Sequence, residues 1–119
     1  MSNILVVDDD PDILTVVQIV LSMNNFKVKT LSKSEDIARS IKSFVPELIL
    51  LDIALAGEDG REICKQLKNS SETRHIPVIL FSAHHHLGKS IEDCKADGFI
   101  SKPFETAHLI ETIRTNIEN

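Results

Sequence analysis

The chain contains no tryptophan and no tyrosine, and five phenylalanines make up its aromatic content. Stacking on bases or sugars would fall to those phenylalanines, most of which sit in core-like apolar contexts. Only two cysteines occur, Cys64 and Cys94. Both lie in segments with helical patterning and lack metal-ligand spacing, so they read as buried or half-buried thiols rather than as a staple or a zinc site. No stretch has the make-up of a secretory leader, and no apolar run approaches the roughly 20 residues that span a bilayer. The expectation is a soluble protein of a reducing cytoplasm, with no membrane insertion. Lysine and arginine (13) are fewer than aspartate and glutamate (18), are scattered rather than striped, and leave a net charge of −5. That balance argues against direct contact with nucleic acid.

At 119 residues and 42% apolar composition, residues 1–119 read as one domain, which at this size hides roughly two-thirds of its unfolded surface. No low-complexity tract, linker or repeat interrupts it. Asn3 to Val7 is a short apolar run without polar alternation, as expected of a strand covered on both faces. Asp10 and Pro11 then open a helix, Asp10 as cap and Pro11 at the first position, where no donor is needed. Ile13, Val17, Val20 and Leu21 form its buried stripe, and Asn24 and Asn25 end it. Phe26 to Leu31 alternates like an edge strand, and Ser34 to Phe44 is a second helix stopped at Pro46. Leu48 to Leu51 is the central strand and runs into Asp52. A helix from Asp59 to Ser70, with Asp59 as cap, leads to a fourth strand over Ile76 to Phe81. A fourth helix is predicted over 87–96, closing on Gly98 as a left-handed cap. Phe99 to Ser101 forms a fifth strand and Ala107 to Ile117 the last helix. Five strands alternating with five helices predict a doubly wound α/β fold, a parallel sheet with helices on both faces.

In such a sheet every strand delivers its C-terminal end to the same edge. Asp8 and Asp9 end the first strand, Asp52 the third, Ser82 the fourth and Lys102 the fifth. Isolated aspartates between strand and helix are usually caps, a role that suits Asp10 but not Asp8, Asp9 or Asp52. Like charges about 4 Å apart cost on the order of 4 kcal/mol at an effective dielectric near 20, which a divalent cation relieves. Magnesium accepts oxygen ligands and keeps several waters, and no histidine or cysteine stands at these strand ends to recruit zinc. Lys102 supplies a counter-charge for carboxylate or phosphoryl oxygens, and the Ser82 hydroxyl can donate to a phosphoryl oxygen. Pro103 is a candidate for a cis bond that orients Lys102. His84, His85 and His86 are consecutive, so their side chains diverge and do not read as a metal site.

Asp8-Asp9, Asp52, Ser82-Ala83 and Lys102-Pro103-Phe104, in this order and spacing, resemble the receiver domain of two-component response regulators over essentially the whole chain. The resemblance implies a flavodoxin-like sheet of strand order 2-1-3-4-5 and makes Asp52 the phospho-acceptor. Asp9 and Asp52 would then ligate Mg2+ (or Mn2+) directly, Asp8 through water, and the Ala54 backbone carbonyl would complete the protein ligands. It further implies Ser82 as switch hydroxyl, Lys102 as phosphoryl contact and Phe99 as the aromatic that rotates inward, repacking the surface of the fourth helix, fifth strand and fifth helix. Ala54 and His84 would set the phosphate lifetime. The implied partners are a histidine kinase or histidine phosphotransfer protein, an unidentified downstream target, and a second copy in a phosphorylation-dependent homodimer. The domain would be a signalling module, not an enzyme, although it promotes its own phosphorylation and slow autodephosphorylation. Serine replaces the commoner threonine at 82, and Ala56 replaces a frequent proline, which predicts a more mobile loop after Asp52.

Two other readings compete. An aspartate-dependent small-molecule phosphohydrolase would use Asp8 as nucleophile and Asp10 as acid, but the chain is short for a substrate cap, no acidic pair follows Lys102, and Asp52 has no role. A receiver-like binding module that never takes phosphate would not need competent residues at every site position. The chain is a complete regulator or a receiver from a longer protein, and the sequence does not distinguish them.

Overall fold

The computed structural model describes residues 2–55, 57–83 and 93–117. Strand β1 (Asn3–Val7) leads into α1 (Pro11–Met23), β2 (Lys27–Leu31), α2 (Ile37–Phe44) and β3 (Leu48–Asp52). The short strands β4 (Ala54–Leu55) and β5 (Glu58–Asp59) precede α3 (Gly60–Asn69), β6 (Val78–Ser82), β7 (Gly98–Ser101) and α4 (Thr106–Ile117). Five strands form one sheet in the order β2-β1-β3-β6-β7, and all of its pairings are parallel. This is the predicted order with β2 at an edge, and crossing back through helices is what makes a parallel sheet possible.

Successive side chains of the central strands feed opposite cores, as the two-residue period of a strand requires. Ile4, Val6, Leu48, Leu50, Ile79 and Phe81 pack with Val17 and Leu21 of α1 and Leu109 and Ile113 of α4. Leu5, Val7, Ile49, Leu51, Val78 and Leu80 pack with Ile37 of α2 and Cys64 of α3. Each such aliphatic side chain contributes roughly 1.5–3 kcal/mol of burial. Both cysteines are buried and neither is in a disulfide, and Cys64 Sγ lies 3.5 Å from the Cys94 carbonyl oxygen, to which it donates. Burial, then the neighbouring Cys94, pushes the Cys64 thiol up to about 12.

The helix ends follow from particular side chains. Asp10 caps α1 by accepting from the Asp12 amide at 2.9 Å, with Pro11 at the first position. Asp59 caps α3 in the same way, through the Arg61 amide. Asn25 adopts a φ of 68° just after α1.

Several expectations need correction. The segment from Ser34 is not one α-helix: Ser34–Asp36 is a 3-10 turn, and α2 ends on Val45 at a φ of 52°, before Pro46 is reached. Phe26 is buried but lies outside β2. Gly98 is not a helix cap but the first residue of β7; a Cβ there would meet Ile79 Cδ1 at 2.9 Å, so the missing side chain serves close packing. Lys95, at a φ of 63°, holds the left-handed conformation instead. Four α-helices are present among the described residues, because the predicted helix at 87–96 falls mostly outside them, as do His84, His85, His86 and Ala56. The β4–β5 hairpin, an antiparallel pair, was not expected.

Candidate functional site

Register explains why the acidic residues meet. Val7 pairs with Leu51 across β1 and β3, so the next residues, Asp8 and Asp52, stand level at the C-terminal edge. Asp52 is level with Phe81, and Ser82 with Ser101, immediately before Lys102. By the alternation of β1 and β3, Asp8 and Asp52 follow Val6 and Leu50 onto the α1 and α4 side of the sheet.

Carboxylate oxygens of Asp8, Asp9 and Asp52 all lie within 4.8 Å of one another. Asp8 is fully buried and Asp52 is 4% exposed, whereas Asp9 is exposed. Lys102 Nζ donates to Asp8 Oδ2 at 2.8 Å and stands 3.4 Å from Asp52 Oδ1. The Asp10 amide donates to Asp8 Oδ1 at 3.0 Å, and the Ala54 amide to Asp52 Oδ1 at 3.3 Å.

Charge in this space is unevenly compensated. Burial first, and then the adjacent Asp8 carboxylate, raise Asp52 to about 6, with Lys102 pulling the other way. Burial alone would lower the Lys102 ammonium, but its hydrogen bond to Asp8 and the charges of Asp8 and Asp52 outweigh that and hold it above the ordinary lysine range. Among the described residues, Lys102 is paired with Asp8 and Asp52, and the three grouped carboxylates offer only oxygen ligand atoms. Such a donor set fits a hard divalent cation such as magnesium and not a soft one.

Ser82 is 3% exposed at the end of β6, and the Lys102 amide donates to its carbonyl at 2.7 Å. Phe99 on β7 is half-buried and packs against the α2 and α3 side of the core. Ala54 is exposed in β4. The Lys102–Pro103 bond is cis, as anticipated. His84 lies outside the described residues. The Asp10 carboxylate accepts from the Asp12 amide as the cap of α1, the role expected of it, rather than the acid that a phosphohydrolase would need.

The profile of the family described as "Response regulator receiver domain" matches residues 4–114. The chain belongs to this family. The DNA-binding dual master transcriptional regulator RpaA of Synechocystis sp. is 32% identical over 119 residues, spanning 96% of this chain and 48% of that protein. The response regulator PleD of Caulobacter vibrioides is 31% identical, over 96% of this chain and 26% of its own length. The chain therefore spans at most about half of these relatives. Among solved structures, the N-terminal signal receiver domain of a Bacteroides fragilis response regulator is 30% identical with a TM-score of 0.88, covering 100% of this chain and 98% of that one. A Chloroflexus aurantiacus response regulator structure superposes with a TM-score of 0.92 at 22% identity, over 99% and 98% of the two chains, and supports the fold. As a receiver domain, the chain is a phosphorelay module of two-component signalling.

Three features of this receiver were not anticipated. Lys102 Nζ lies 5.4 Å from the centroid of the Phe81 ring, and Phe104 packs against that ring at 5.5 Å. An aromatic directly before Ser82 and another two residues after Lys102 were the available signal, and only the tertiary structure sets Phe81 under the ammonium and Phe104 against Phe81. Gly60 brings α3 against the strand end: its amide donates to the Ile53 carbonyl at 2.7 Å, and a Cβ there would lie 2.2 Å from the Asp52 carbonyl oxygen. Ser34 Oγ donates to the Glu58 carboxylate, which ties β5 to the 3-10 turn that precedes α2.

Proposed function

We propose that Asp52 accepts a phosphoryl group from phosphohistidine on a histidine kinase or a histidine phosphotransfer protein, in the cytoplasm. The observation that carries this reading is the Asp52 carboxylate at the open edge of β3, 3.4 Å from Lys102 Nζ and grouped with Asp8 and Asp9. A carboxylate oxygen of Asp52 attacks phosphorus, the phosphorus–nitrogen bond breaks, and the donor histidine keeps the electron pair and takes a proton. Asp9 and Asp52 directly, Asp8 through water and the Ala54 carbonyl would hold magnesium or manganese, which supplies positive charge against the phosphoryl oxygens. Lys102 moves its interaction from the carboxylates to the incoming phosphoryl oxygens, and the Ala54 amide, already aimed at Asp52, orients the nucleophile.

The phosphoryl group adds roughly −1.5 to −2 charge at neutral pH. The Ser82 hydroxyl is drawn to those oxygens, and Phe99, half-buried on the neighbouring strand, turns into the space vacated. The surface changed is that of β7 and α4, where a downstream target or a second copy would engage. Ala54, exposed just after Asp52, and His84, by its place in the sequence two residues after Ser82, set how quickly water removes the phosphate; a timed decay that is unchanged by replacing His84 would refute that role. The domain promotes its own phosphorylation and slow dephosphorylation without being an enzyme toward a separate substrate.

The central test is acetyl phosphate with magnesium, followed by intact mass. One phosphoryl group is expected on the native chain and none on Asp52→Asn. Equal labelling of the variant, or no labelling of the native chain, would overturn the assignment.

A further inference from the structure

The α2 and α3 helices lie on the same side of the sheet but leave a groove of about 670 Å³ between them. Ile37 and Ile41 are one turn apart on α2, and Ile63 and Leu67 one turn apart on α3, so each pair occupies a single helix face. Both pairs line the groove. Ile37 is buried, whereas Ile41, Ile63 and Leu67 are only partly covered and present apolar surface to the opening. Around that floor the exposed charges are mainly of one sign: Glu58, Glu62 and Glu72 against Lys42. The other acidic residue of the lining, Asp59, is already paired with Arg61 at 2.7 Å.

An apolar floor one to two helical turns long with a carboxylate rim is the complement of a short helix that carries aliphatic side chains on one face and lysine or arginine beside them. We propose that the α2–α3 groove is a docking site for a basic amphipathic segment of a partner protein. The rim charges steer the segment and select its sign, and the Ile41, Ile63 and Leu67 surface supplies the buried area. The groove lining includes none of Asp8, Asp9, Asp52 and Lys102, and the proposal does not depend on phosphorylation.

The test uses the isotope-labelled native chain and a synthetic helical peptide of about 14 residues, ~21 Å long, with leucines at helical spacing and lysines flanking them. Saturable amide shifts are expected at Ala38, Ile41, Ile63 and Leu67. A peptide with every lysine replaced by glutamate should give none. The double variant Glu62→Gln with Glu72→Gln should weaken binding by roughly threefold to tenfold, from two rim charges, and added salt should weaken the native interaction in the same direction. Shifts confined to Asp8, Asp9 and Asp52, equal binding of the glutamate peptide, or unchanged affinity in the double variant would overturn the proposal.

Discussion

Asp52 is held in a state that favours its own neutralisation. In the metal-free protein its carboxyl is raised from 3.8 to about 6, by burial first and Asp8 second. A folded-state value above the unfolded one means that the folded chain holds more protons between those limits, so the contribution of Asp52 to stability falls as pH rises through this window and the cost is complete above it. A shift of this size corresponds to a cost on the order of 2–3 kcal/mol. Replacing Asp52 by asparagine, which removes the charge and keeps the shape, should stabilise the metal-free protein at pH 7, and the gain should disappear near pH 4. Thermal unfolding in chelator across that range checks this, and parallel curves for the two proteins would contradict it. Lys102 works in the opposite sense. Lys102→Met leaves buried Asp8 and Asp52 with no cation within 4 Å among the described residues, so it should lower the midpoint at pH 7 while Asp52→Asn raises it.

At the level of elements, the site is an end-effect of helices and strands that fit one another closely. Gly60 opens α3 so near β3 that its absent Cβ matters: the contact would be with the Asp52 backbone oxygen at 2.2 Å, which cannot yield as a flexible side chain could. Gly60→Ala should therefore cost about 1–3 kcal/mol and tilt α3 away from the strand end, which denaturant unfolding would register. Gly98→Ala, whose contact is the far end of the Ile79 side chain at 2.9 Å, should cost much less. Asp10→Ala should lose about 1 kcal/mol with the α1 cap and leave phosphorylation intact. The contrast among these positions also shows what the sequence could reveal. Unbroken apolar runs made β1 and β3 legible, and polar residues at strand ends made Asp8, Asp9, Asp52 and Lys102 legible, because both follow from local pattern and strand direction. Gly98 was misplaced because a glycine between a helix and a strand serves equally as cap or as packing relief, and only the position of Ile79 decides. The β4–β5 pair is two residues per strand, too short for any periodicity, and Val45 reaches a left-handed φ that a β-branched residue gives no reason to expect.

For the molecule as a whole, the fold concentrates acidic charge at one edge of the sheet and couples stability to whatever neutralises it. A cation bound only by the folded state stabilises by RT ln(1 + [L]/Kd), about 2.7 kcal/mol at a hundredfold excess over Kd. Magnesium should therefore raise the thermal midpoint of the native chain at neutral pH, and chelator should reverse the rise. Because protons and metal compete for Asp52, which titrates near 6, the increment should shrink as pH falls from 7.5 to 5, opposite to the trend of a non-specific salt effect. Asp9→Asn tests the exposed member of the group. It leaves the Asp8–Lys102 pair intact, so it should remove most of the magnesium increment, measured against the variant's own metal-free midpoint. An increment of the same size in Asp9→Asn and Asp52→Asn, or one that grows toward acid pH, would place the stabilising cation elsewhere and break the link between this cluster and phosphoryl transfer.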